Sequence, residues 1–179
     1  MHGDPARERR IRALVITLPG GAARLREVPA ARFCFGEMRV PATLGDARLV
    51  LDATAGDAET AARVMHLLAH HTSPFAPVDG FDSSRPCAPQ VDAALDAEAR
   101  ALVREIADRA RLHVDSPRLP FAFAADVHRA ADDASRARIV RAFIDAHPDG
   151  GGGLDALASG YTAECERTRA PRAGTRVPP

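Results

Sequence analysis

His66 and His70 stand four residues apart in the segment Val64-Met65-His66-Leu67-Leu68-Ala69-His70-His71. On an α-helix that spacing stacks two imidazoles on one face, close enough to share a single zinc ion. With residues placed at steps of about 100°, both histidines fall on the side of Glu59 and Arg63. Ala61, Val64, Met65 and Leu68 take the opposite side, so the pair is expected to face a cleft or solvent. His71 points away from His70 and reads as a surface or C-cap residue. His113, His128 and His147 fall at or near helix ends, where the negative end of the helix dipole favours an imidazolium.

Other chemistries are poorly supplied. All 24 basic residues are Arg, balanced by 24 acidic ones. The absence of Lys removes phosphate-loop lysines, kinase lysines, Schiff-base lysines and Ser-Lys pairs together. The wealth of Ala, Arg, Gly and Pro matches GC-rich, bacterial-like codon usage, which accounts for the Arg bias. Zero net charge supplies no overall field for nucleic acid or an acidic membrane, and neither is expected as a partner. Aromatic residues, at 4% with seven Phe, one Tyr and no Trp, are too few for a stacking platform. Cys34, Cys87 and Cys165 lie far apart with no C-x-x-C spacing, so reduced thiols in a cytoplasmic protein are expected, Cys87 in a Pro-rich loop. Ser73, Ser83 and Ser84 lack a nucleophile elbow. The Gly150 to Gly153 run has neither a preceding strand nor a Lys and reads as a hinge.

The histidine pair must be carried by regular elements. The apolar run Ile11 to Leu18, ending at Pro19-Gly20-Gly21, predicts a buried strand. Arg32 to Val40 predicts a second, with Phe33 and Phe35 on one face, and Ala47 to Asp52 a third. From Asp57, a candidate N-cap, the period becomes helical through His71. A Pro- and Ser-rich loop from Thr72 to Pro89 leads to a second helix, Val91 to about Leu112. A third is expected between Asp126 and His147 and a short last one from Leu154 to about Arg167, with Leu154, Leu157, Ala158 and Tyr161 turned to the core. At 179 residues the chain is expected to be one α+β domain, a small antiparallel N-terminal sheet packed on three to four helices. Residues 1–10 are expected to be a flexible lead-in, 11–167 the domain and 168–179 a disordered basic tail.

A strand ending in Val50-Leu51-Asp52, a Gly-Asp turn and a helix reading ETAARVMHLLAHH resemble the minimal core of the zincin metallopeptidases. In that family the helix carries His-Glu-x-x-His, and in its Glu-zincin branch a later helix supplies a third, carboxylate ligand, often in a Glu-x-x-Ala setting. Glu98-Ala99-Arg100-Ala101 stands on the next expected helix, with Glu105 as the rival two turns on. The resemblance covers about residues 47 to 112 and implies a zinc site at His66, His70 and Glu98. It also implies lost hydrolysis, because Leu67 occupies the place of the glutamate that takes a proton from the metal-bound water. The sequence thus supports a divergent zincin-like domain without peptidase activity that retains a candidate zinc site. Its alternative is a non-enzymatic, metal-free interaction module that engages another protein through the Thr72–Pro89 loop or the Arg-rich tail.

Overall fold

The chain enters its fold through a helix where a strand was expected. Asp4 caps it, its carboxylate accepting from the Arg7 backbone N–H at 2.9 Å, and Pro5 occupies the first turn. Together these launch α1, Pro5–Thr17, in the computed structural model of the chain, which describes residues 2–37, 42–44, 48–71, 80–114, 122–151 and 154–170. The β-branched content of Ile11 to Leu18 suggested a strand. The cap and the helical spacing of buried Ile11, Val15 and Leu18 prevail, leaving Ile16 exposed. Residues 5–10, expected to be loose, form the first turns, and Arg7 reaches across to the Ala53 and Ala55 carbonyls.

Among the described residues the sheet has four short strands: β1, His2–Gly3, ahead of α1, and, after α2, Gly21–Glu27, β2, Arg32–Gly36, β3, Ala42–Leu44, and β4, Arg48–Asp52. Their order is β1-β2-β4-β3. The expected small N-terminal sheet is present, but it is mixed: β2 and β4 run parallel, from Arg32 opposite Arg48 to Gly36 opposite Asp52. The other two pairings are antiparallel. Leu49, Val50 and Leu51 are all buried, the continuous apolar run typical of a strand covered on both faces. Phe33 and Phe35 share an inward face as expected, and the guanidinium groups of Arg12 and Arg7 lie 4.7 and 4.5 Å above their rings.

The long helix α3, Asp57–His71, matches its expected bounds. Asp57 is its first residue, not its cap, and holds Arg7 and Arg10 at 3.1 and 2.7 Å. The next helix, α4, begins earlier than expected, at Cys87, and runs to Arg111. The expected third helix is two, α5, Ala124–Arg129, and α6, Asp133–Ala146, divided where Asp132 caps the second through the Ser135 N–H. The last, α7, is Leu157–Arg169. Among the described residues the interior has two apolar clusters. One joins α1, β2, β4 and α3; the other joins α4, α6 and α7 around Leu95, Leu102, Ile106, Val140 and Ile144. They meet where α3 packs along α4. The expectations for 72–79, Met38, Val40, Gly152, Gly153, residues 171–179 and the His71 side chain lie outside the described residues. Among the described residues no helix is long and apolar enough to cross a membrane.

Candidate metal centre

The face of α3 opposite its apolar stripe carries Glu59, Arg63, His66 and His70, and it packs against α4. Seven residues of α4 separate Glu98 from Glu105, about two turns, so both carboxylates point from one face. The two polar stripes thus meet each other instead of water. His66 is 4% exposed, Glu98 6% and Glu105 0%, which corrects the expectation that the histidines face a cleft or solvent. A polar stripe reads as a solvated face from one helix alone; here the neighbouring helix supplies its counter-charges.

The donor atoms converge. His66 Nε2 lies 3.0 Å from His70 Nε2 and 3.2 Å from Glu98 Oε1, and His70 Nε2 lies 3.0 Å from Glu98 Oε2. His66, His70 and Glu98 therefore form a group that could hold a metal ion, one ligand atom from each, all within 4.8 Å of one another. Donors at about 2.0 to 2.1 Å from a tetrahedral zinc stand about 3.3 Å apart, so the observed spacings match the edges of such a site. None of His113, His128 or His147 joins this cluster.

Glu105, the rival third ligand, has a different place. Its Oε2 is 3.0 Å from His66 Nδ1, the ring nitrogen facing away from the cluster. That approach lacks the alignment of a directed hydrogen bond, so Nδ1 is a buried polar atom held by charge. Arg63 Nη1 donates to Glu105 Oε2 at 3.0 Å and Arg109 Nε to its Oε1 at 2.9 Å, while Arg109 Nη1 also donates to Glu59 at 3.2 Å. A carboxylate behind the second nitrogen of a metal-ligating imidazole orients the ring, and here two arginines fix that carboxylate. On the far side, Tyr161 of α7 donates its hydroxyl to Glu98 Oε2 at 3.1 Å.

Charge follows this geometry. Burial alone would push the His66 imidazole down, but Glu98 and Glu105 outweigh it and hold the ring up at about 9. Burial would raise both carboxyls. Arg63, His66 and Arg109 bring Glu105 down to about 2, and His66 and His70 hold Glu98 well below its usual range. Burial, followed by the adjacent Glu98 charge, drives the Tyr161 phenol far up, so it remains a donor.

Leu67 is 6% exposed and belongs to the apolar cluster with Ile11, Phe33 and Met65. The place where the zincin helix carries its base is thus core. Tyr161 was legible only as a core residue of the last helix; the chain's single tyrosine lies 63 residues from Glu98, and no sequence signal joins them. The cysteine expectation is also overturned. Cys87 sits in the first turn of α4, bonded to Cys165 of α7 with their Cα atoms 5.8 Å apart; Cys34 is free. A separation of 78 residues gives no hint of such a pairing, which depends on α4 and α7 lying side by side.

No known family, curated protein or solved structure matches this chain.

Proposed function

We propose that the chain is a zinc-binding domain without peptidase activity, its ion held by His66, His70 and Glu98. The convergence of those three donors at near-tetrahedral spacing carries this reading. The Glu105 carboxylate behind His66, fixed by Arg63 and Arg109, supports it, because a charge behind the ring favours the orientation that turns Nε2 to the cluster. Zinc there would supply a cross-link between α3 and α4 and a Lewis acid at any remaining coordination position. The helix spacing and the carboxylate on the next helix support a divergent zincin-like origin. Two features depart from that family's pattern: Leu67 is core, and β4, which precedes the helix where the family has an edge strand, lies between β2 and β3.

The rival is a metal-free module that engages another protein, and one observation favours it. A protonated His66 between Glu98 and Glu105 already satisfies the buried charges. Neither reading invokes nucleic acid or membrane as partner. A cytoplasmic location, which the sparse cysteines suggested, is in tension with the Cys87–Cys165 bond, since disulfides persist in oxidising compartments.

Calorimetric titration of chelator-treated protein decides between the two. The metal reading expects one zinc per chain and, at a hundredfold excess over Kd, a melting temperature higher by roughly 5–10 °C. The His66→Ala, His70→Ala double variant should lose both responses. Unchanged melting and no zinc heat in the parent protein would overturn the site.

A further inference from the structure

A cavity of ≈ 440 Å³ opens on another face of α4, bounded by α2, the end of α3 and the start of α6. Its size lies within the range of small-molecule sites, roughly 300 to 1,000 Å³. Among the described residues five guanidinium groups line it, Arg24 of α2, Arg100, Arg104 and Arg111 of α4, and Arg136 of α6, against one lining carboxylate, Asp133. The concentration is local, because the whole chain has zero net charge. Between the arginines the wall is small and apolar, with Ala69, Ala97, Ala101 and Ala107.

Asp108 organises two of these arginines from behind. Its side chain is 0% exposed and does not line the cavity, yet it accepts from Arg104 Nε at 3.0 Å and from Arg111 Nη1 at 3.2 Å. Each guanidinium is anchored through one nitrogen and keeps other N–H groups. Arg136 is held by Asp133 at 2.7 Å and by the Ala130 carbonyl at 3.1 Å. Arg100 differs: it is exposed and makes no hydrogen bond or ion pair among the described residues. Anchored arginines have surrendered much of their side-chain entropy before any ligand arrives, and the planar fork matches a phosphate oxygen pair.

We propose that this cavity binds a small organic phosphate, its dianionic head taken by Arg104 and Arg111, whose guanidinium groups both rest on Asp108, with the exposed charge of Arg100 one turn away, and its apolar body laid on the alanine wall. The proposal is independent of the metal centre. Guanidinium groups supply charge and bidentate geometry for the head, and the alanines exclude water from a flat body without adding a polar group to desolvate. A bare anion would use only half of the site.

The test is heteronuclear NMR titration of the full chain with phenyl phosphate, inorganic phosphate and benzyl alcohol. Phenyl phosphate should saturate, shifting the amides of Ala97, Ala101 and Arg104; inorganic phosphate should bind at least fivefold more weakly and benzyl alcohol not measurably. Arg100→Gln, which removes no structural bond, should weaken phenyl phosphate about tenfold, whereas Arg129→Gln on α5 should leave it unchanged. Raising the salt concentration should weaken it further, as screening demands. Non-saturating shifts, equal loss in both variants, or a duplex oligonucleotide that outcompetes phenyl phosphate at the same amides would each overturn the proposal.

Discussion

Leu67 separates a protein that could regain hydrolysis from one whose packing forbids it. The helix wheel suggested a shoulder position where glutamate would reach metal-bound water. Packing places the side chain in the cluster of Ile11, Phe33 and Met65 instead. Leu67→Glu therefore buries a carboxylate in an apolar cluster and should cost on the order of 3 kcal/mol or more in urea denaturation at neutral pH, without any peptide cleavage. Full stability with measurable cleavage would return the residue to the catalytic face. The ligand residues themselves were legible because an i, i+4 pair depends only on the local helical period. Their burial was not, since it needs the Glu98 and Glu105 stripe of a second helix about thirty residues away.

At the scale of elements, legibility followed how local each signal was. The helix α3 has a strong period and an acidic first turn, and its bounds were read correctly. In α1 the decisive residues, Asp4 and Pro5, lie outside the apolar run that drew attention, so β-branched content misled. The parallel pairing of β2 with β4 depends on chain direction in space, which no pattern of alternation encodes. The junction of α1 and α2 carries its own prediction. Gly20 has φ +76°, and a Cβ on Gly21 would lie 1.8 Å from the Val15 carbonyl oxygen. Gly21→Ala must push α2 off the last turn of α1 and should cost roughly 2–4 kcal/mol. Gly20→Ala, facing only a left-handed backbone penalty, should cost about 1 kcal/mol. Equal losses by urea denaturation would show that the junction relaxes freely.

The molecule as a whole is two apolar clusters joined along an ionic seam. The Cys87–Cys165 bond closes a loop wholly within the α4, α6 and α7 half. A loop of that length removes unfolded-state entropy worth about 4 kcal/mol, none of it shared by the sheet half except through the seam. Amide hydrogen exchange on metal-free protein should therefore show α1, β2 and β4 opening at lower free energy than α4 and α6. Zinc, with two ligands from one half and one from the other, should narrow that gap. Uniform protection throughout, unaltered by zinc, would mean the halves already unfold as one unit.

Position along the chain also becomes order in time. A ribosome delivers α3 first, so His66 and His70 exist for a while without α4, and Glu98 joins them before α7 has been made. Tyr161 and Cys165 arrive last, and the covalent bond to Cys87 then fastens the helix whose phenol rests on Glu98. On the metal reading, an ion can be taken up as soon as α4 has been made, and the later fastening of α7 slows its exchange without barring it. An ion taken up during synthesis then outlasts brief changes in what surrounds the finished protein.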